Sequence, residues 1–117
     1  MNTIVKTVTG NNETKTVAVL HSLTTNGQFA KLFVDVLVRD QASTGWTFVR
    51  GHVGAFRDGG SITLFDSTDA GDQGSSGNFT SAAIVANGDD IEVRVFAGSG
   101  GPHMADCLIQ WYAAQGK

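Results

Sequence analysis

The sequence predicts an all-β protein, a single jelly-roll-like antiparallel β-sandwich of about eight strands. The first indication is Asn87-Gly88 between two β-prone runs, because Asn-Gly favours the positive φ angles of a type I′ hairpin turn. The second is the alternation of apolar and polar side chains from Ile91 to Val95, the period of a strand with one buried face. The third is that turn signals recur at the spacing of a sandwich or barrel, and no stretch has helical periodicity.

The strands of the first half alternate clearly after the first one. Residues 2–9 alternate only loosely, and residues 1–9 are interpreted as an N-terminal arm or edge strand, ahead of a sandwich domain of residues 10–117. A Gly10-Asn11-Asn12 turn leads to a strand at residues 14–21. Residues 29–39 form the longest apolar strand, with a leucine and three valines on one face and a half-polar opposite face.

In the second half, Gly51 and Gly54 interrupt a strand at residues 46–57, which indicates a bulge, a bend or a close approach of backbones. The Asp58-Gly59-Gly60 turn returns the chain into a strand at residues 61–66. Residues 67–78, rich in Asp, Gly and Ser, are predicted to form a loop. The closing strands are predicted at residues 79–86, 91–97 and 107–113.

Length and charge limit the classes of function. At 117 residues the chain has room for one domain, and scaling of surface with mass predicts that about two-thirds of the unfolded surface is buried on folding. The net charge is −3 and the eight basic residues are spread singly, which argues against nucleic-acid binding. No apolar run has membrane-spanning length, so no membrane partner is expected.

The termini and the single cysteine indicate where the protein is made. Residues 1–6 lack the basic and apolar regions of a signal peptide, so we expect the chain to stay where it is synthesised or to leave by cell lysis. Cys107 has no partner for an internal disulfide and fits a reducing compartment. Its position on the apolar face of the last strand predicts a buried, inert thiol.

The sequence predicts no catalytic, metal or cofactor site. The histidines His21, His52 and His103 stand on different elements, and their neighbours do not have zinc-ligand spacing. The chain has no Gly-x-Ser-x-Gly nucleophile motif, and its Gly98–Pro102 segment lacks the Lys-Ser/Thr of a phosphate-binding loop. We therefore expect a protein that is not an enzyme and that needs no cofactor.

Two weaker binding patterns were weighed. Asp66, Asp69 and Asp72 recur in an oxygen-rich stretch that resembles a calcium loop only in composition, because the spacing is not that of an EF-hand; a solvated loop is favoured. Four aromatic residues are candidates for either a sugar-stacking platform or core packing, with core favoured: Trp46, Phe48, Trp111 and Tyr112.

Four segments in the last two-thirds of the chain carry a family resemblance. They are the tryptophan strand Trp46-Thr-Phe-Val, the glycine-interrupted strand with its Arg57-Asp-Gly-Gly60 turn, the hairpin around Ala86-Asn-Gly-Asp-Asp-Ile91, and the terminal Leu108-Ile-Gln-Trp111. In this pattern of strands and turns the chain resembles the small β-sandwich modules of tailed-bacteriophage virions. That family includes capsid decoration (cement) proteins and the knobs of tail fibres or spikes, and its members are usually trimeric.

The resemblance implies a non-enzymatic virion structural protein and carries over no functional residues. Because the chain has no shaft or anchoring domain, it is expected to be a homotrimeric decoration protein on the capsid surface, made in the host cytoplasm and bound to the lattice of the major capsid protein. The alternative is a receptor- or glycan-binding knob of a tail fibre or spike. The residue 1–9 segment is expected to contact the capsid protein by adding a strand to one of its sheet edges.

Some apolar side chains lie on strand faces that would be exposed to solvent in a monomer. They predict an oligomer interface. The candidate interface residues are Ile4, Val5, Phe33, Leu37 and Phe96.

Overall fold

The computed structural model contains eight antiparallel strands. In chain order they are β1 (Asn2–Gly10), β2 (Glu13–Ser22), β3 (Phe29–Asp40), β4 (Trp46–Asp58), β5 (Ser61–Asp72), β6 (Phe79–Asn87), β7 (Asp90–Ala97) and β8 (His103–Gly116). The structure describes residues 1–42, 45–72 and 77–117, without the side chains of residues 66–72 and 80. Over these ranges, no helix has the length and hydrophobicity needed to cross a membrane.

The strands form two sheets that pack face to face, which confirms the predicted β-sandwich. One sheet has five strands in the order β1-β8-β3-β4-β5, and the other has three in the order β2-β7-β6. The first strand pairs with the last and the second with the seventh, the nested arrangement of a jelly roll. The division is five and three because the β3-β4-β5 meander stays within one sheet.

The core lies between the sheets and follows the alternation of each strand. Its centre consists of inward-facing aliphatic side chains of β3 and β7 that are at most 3% exposed: Leu32, Val34, Val36, Val38, Ile91, Val93 and Val95. Neighbouring strands add Val49, Val53 and Ile109. Burial of such side chains is the main term that stabilises a sandwich.

Two side-chain hydrogen bonds join the sheets at the margins of this core. The indole Nε1–H of Trp111 on β8 donates to the carbonyl oxygen of Leu20 on β2, at 3.0 Å. The hydroxyl of Thr47 on β4 donates to the carbonyl oxygen of Phe79 on β6, also at 3.0 Å. Each bond gives a partner to a polar group that folding removes from water.

β5 is longer than the sequence indicated. The predicted strand ended at residue 66 and residues 67–78 were assigned to a loop, but β5 pairs with β4 without a break as far as Thr47↔Asp72. The assignment was wrong for residues 67–72 because ladder hydrogen bonds join main-chain groups and depend little on side-chain type. The thirteen residues of β4 offer a partner along this whole length.

The β6–β7 hairpin turn differs from its predicted type, and the β4–β5 hairpin lies at the predicted Asp58-Gly59-Gly60 turn. In the β6–β7 hairpin Asn87 pairs with Asp90, so the central residues are Gly88 and Asp89, and φ is positive only at Gly88 (60°). This is the pattern of a type II′ turn, which requires glycine at the first central position, rather than the predicted Asn-Gly type I′ turn. The β4–β5 hairpin has positive φ at both Gly59 and Gly60, as a type I′ turn requires.

The glycines within β4 do not mark bulges. Pairing with both β3 and β5 is continuous through Gly51 and Gly54. Close approach does not require glycine at position 54 either, because a Cβ there would lie 3.6 Å from the carbonyl oxygen of Phe65 on β5, an ordinary van der Waals distance. Among the described strands, register shifts occur in the pairings with β7. They lie between Thr16 and Ala18 and between Val19 and His21 of β2, and between Phe79 and Ser81 of β6.

Candidate functional site

The most unusual surface is the outer face of the five-stranded sheet, the side that points away from the three-stranded sheet. It carries every large apolar side chain described as exposed except Met1 and Val19. These residues, between 37% and 68% exposed, are Val5, Phe29, Phe33, Leu37, Trp46, Phe56, Phe65, Met104, Leu108 and Tyr112.

This concentration follows from the alternation of the strands. On β3 the even-numbered side chains from Leu32 to Val38 fill the core, so Phe33 and Leu37 must point outward. The three-stranded sheet covers only the inner face. The six exposed rings of the outer face leave on the order of 500 Å² of aromatic surface uncovered, at about 200 Å² per ring. An exposed apolar area of this size lies at the upper end of what a monomer leaves uncovered and is often functional.

The register of the sheet arranges the outward side chains in rows that cross the strands. In the first, here called the apolar row, Leu37 lies opposite Leu108 of β8 on one side and Phe48 of β4 on the other, and Leu108 lies opposite Val5 of β1. Trp46 stacks on Phe48 with ring centroids 5.9 Å apart. The row therefore presents a continuous apolar ridge from β1 to β4.

The next row along the strands, here called the charged row, is polar. It contains Thr3, Gln110, Asp35 and Arg50 in neighbouring strands. The Nε atom of Arg50 lies 3.3 Å from Oδ2 of Asp35, and both side chains are largely exposed. An exposed pair of this kind contributes little to the stability of the monomer.

The third row, here called the aromatic row, contains Tyr112, Phe33 and His52. The rings of Phe33 and His52 are in contact, with centroids 4.1 Å apart. An open groove of about 470 Å³ is lined by Phe33 and His52 of the aromatic row, by Asp35, Arg50 and Gln110 of the charged row, and by Met1. The groove combines an aromatic wall with a carboxylate, a guanidinium and an amide.

A hydrogen-bonded carboxylate lies at the β1 end of the same face. Asp106 on β8 accepts hydrogen bonds from the side chains of Gln41 and Thr7, each at 2.9 Å. These two bonds, with a smaller contribution from the charge of Arg39, hold the pKa of Asp106 below its usual value. Asp106 is therefore a fixed negative charge at neutral pH, opposite Arg39 in the register of β3 and β8.

The structure brings together three of the five candidate interface residues. Val5, Phe33 and Leu37 lie on the outer face. Ile4 points to the other side of β1 and packs against the core, and Phe96 lies half-buried on β7 in the other sheet. The outer face also holds four residues that are not among the sequence candidates, although their outward positions follow from the same alternation: Leu108, Tyr112, Phe56 and Phe65.

The other sequence candidates are dispersed. His21, His52 and His103 lie on β2, β4 and β8; His21 contacts the amide oxygen of Gln115 at 2.6 Å, and His103 Nε2 lies 2.9 Å from the carbonyl oxygen of Ser99. In the part of the chain that the structure describes, no three His, Cys, Asp or Glu side chains cluster as a metal site would require. The side chains of Asp66, Asp69 and Asp72 lie outside the described residues.

The four aromatic residues weighed as a sugar platform are divided between the two faces. Trp111 points inward and is half-buried, as expected of a core residue. The other three, Trp46, Phe48 and Tyr112, lie on the outer face.

Comparisons with known proteins give a structural likeness at low sequence identity. No protein-family model and no curated protein matches the sequence. Among solved structures, the chain is similar to the crystal structure of the Acinetobacter phage vB_ApiP_P1 tailspike protein, with a TM-score of 0.47 and 14% identity. The alignment covers 95% of this chain and 22% of that chain, so this chain corresponds to about a fifth of the tailspike.

Proposed function

We propose that this protein is a non-enzymatic structural protein of a bacteriophage virion, and that it is a capsid decoration protein. On this proposal it is a homotrimer that binds the assembled lattice of the major capsid protein and resides on the capsid surface. The observation that carries the proposal is the outer face of the five-stranded sheet, an extended surface that suits contact between proteins. The sequence resemblance to phage β-sandwich modules supplies the virion context.

The capsid contact is proposed to be made by β1. This strand occupies one edge of the five-stranded sheet and pairs with β8 alone in that sheet. Its second edge offers main-chain donors and acceptors to which a strand of another protein can add. A trimer presents three such edges, so modest individual contacts gain through multivalency on a repeating lattice.

The experiment is co-sedimentation of the purified protein with assembled phage heads and, in parallel, with free major capsid protein. We expect the protein to pellet with assembled heads at a fixed stoichiometry and to leave free capsid subunits unbound, because its site is built from several neighbouring subunits. Absence from the head pellet at saturating protein concentration contradicts the decoration function.

The alternative function, a receptor- or glycan-binding knob, is favoured by the groove on the outer face. Its aromatic wall of Phe33 and its polar side chains Asp35 and Arg50 combine the ring stacking and hydrogen bonding that bind sugars. Under this alternative the labelled protein binds host cells and ignores heads, and Phe33→Ala weakens cell binding. The same co-sedimentation series, extended to host cells, separates the two functions.

A further inference from the structure

We propose that the outer face of the five-stranded sheet is the surface through which copies of this chain pack against each other, around a rotation axis parallel to the strands. The inference rests on the homotrimer of the proposed function and names the surface that holds it. Its occupant is a further copy of the same chain.

The size of the face suits an oligomer. The twelve residues of β3 span about 40 Å and five strands span about 24 Å, giving a face on the order of 900 Å². In a trimer each copy divides this face between two neighbours, and its two contacts together use about the 800 Å² that one partner of a stable interface contributes. The face is thus large enough to hold an oligomer, and its apolar and aromatic rows match the composition of interface cores.

The order of the rows suits an axis parallel to the strands. An axis parallel to the strands leaves every row at the same height in every copy, so each row meets its own equivalent. The apolar row of Leu37 then packs on the apolar row of the neighbour, and the aromatic row of Phe33 packs on the neighbouring rings. The charged row meets a charged row, which is required because a charge removed from water must be paired.

Charge complementarity also favours a second copy. The face carries two pairs of opposite charges side by side in register, Asp35 with Arg50 and Asp106 with Arg39. A second copy brought face to face offers Arg50 to Asp35, and the same contact repeats around a closed ring. A partner surface of one charge sign would leave half of these groups without a counter-charge. The surface therefore fits its own copy better than an acidic or a basic partner.

The test measures mass in solution by light scattering, without capsid shells. We expect the wild-type chain at about three times its 12.3 kDa mass. Leu37→Asp places a charge at the centre of the apolar row and should raise the dissociation constant about 30-fold or more, as loss of a central interface contact does. The matched control is Val19→Asp on β2, an apolar residue that is 47% exposed but lies on the other sheet. The control should keep the wild-type mass.

The second set of variants reverses the charges. Asp35→Arg and Arg50→Asp should each weaken association about tenfold or more, and the double variant should restore it. In the separated chain this exposed pair contributes little to stability. The melting temperature, measured at a dilution at which the oligomer has dissociated, should therefore not fall in the single variants and recover in the double variant. Circular dichroism shows whether each variant folds. If Leu37→Asp does not fold, the charge-reversal variants test the inference in its place.

The outcomes separate the inference from the proposed function. A trimer that survives Leu37→Asp and both single charge reversals overturns this inference and leaves the trimer of the proposed function standing. A wild-type monomer at all accessible concentrations overturns both the trimer and the inference. In the third outcome, the wild-type protein is a trimer that does not bind heads, and the face variants are dissociated. This outcome supports the inference and contradicts only the decoration function.

Discussion

At the scale of single residues, Cys107 shows how burial controls chemistry. It lies on the inner face of β8 with no exposed surface, in the position that the alternation of the last strand indicated. Desolvation, with a smaller contribution from the negative charge of Asp106, raises its pKa from the ordinary 9.0 to about 11. The reactive thiolate is therefore suppressed in the folded protein at neutral pH.

This gives a pH-dependent prediction. Because the pKa of Cys107 is raised in the folded state, its contribution to stability is fully present below about pH 9.0 and is lost as the pH rises through about 11. Urea unfolding from pH 8 upward should show this fall, and a thiol reagent at pH 8 should label the protein only in denaturant. Cys107→Val lacks the ionisation and serves as the control. Rapid labelling of the folded protein would contradict the prediction.

At the scale of the element, β1 is an integral strand of the sheet. It pairs with β8 from Asn2↔Trp111 to Gly10↔His103, and it supplies Val8, which is 5% exposed, to the core. Thr7 adds its hydrogen bond to Asp106. Deletion of residues 2–9 therefore removes core contacts together with the outer edge of β1. A loss of head binding after this deletion would not show that the edge itself makes the contact with the capsid.

A matched pair of substitutions in β1 measures its structural contribution. Val8→Ala should lower the free energy of unfolding by about 1–3 kcal/mol, because it removes buried methyl groups and leaves a cavity. Lys6→Ala changes an exposed side chain on the same strand and should stay within about 0.5 kcal/mol of wild type. Chemical denaturation of both variants checks this. Equal effects would mean that β1 is not packed as a core strand.

At the scale of the whole molecule, Arg57 ties separate parts of the sandwich together. It lies at the end of β4, and its Nη1 donates to the carbonyl oxygen of Leu23, between β2 and β3, at 3.0 Å. The same group pairs with the carboxylate of Asp89 in the β6–β7 turn. The Arg57 side chain is only 12% exposed and the Asp89 side chain is 52% exposed, so a largely buried guanidinium joins the five-stranded sheet to the hairpin of the other sheet.

Removal of this connection should lower the stability of the folded protein. Arg57→Met should lower the free energy of unfolding by about 2–3 kcal/mol, because the Leu23 carbonyl is left without its charged donor in a buried place. Lys15→Met is the matched control, since the Lys15–Glu13 pair is exposed and 3.8 Å apart. Thermal and urea unfolding of both variants provides the measurement. A loss no larger for Arg57→Met than for Lys15→Met would show that Arg57 does not stabilise the joint.

The sequence by itself determined the strands and the side of each that enters the core. The period-2 alternation is local, and burial of the apolar side is energetically dominant, so Leu32 and Val36 could be assigned inward and Phe33 and Leu37 outward without knowledge of their neighbours. The positions of the tight hairpins were determined in the same way by their glycines, although the residue pairing, and with it the turn type, was not.

The tertiary structure alone decided which outward positions meet. Tyr112 and Leu108 join Phe33 and Leu37 only because β8 lies beside β3, some seventy residues away in the chain. Phe96 also points away from the core, but its strand belongs to the other sheet, so it cannot join the outer face. The division of the strands between sheets, the length of β5 and the rows across the outer face all depend on pairing between distant strands. That pairing is fixed by main-chain hydrogen bonds and by closure of the common core, which local periodicity does not encode.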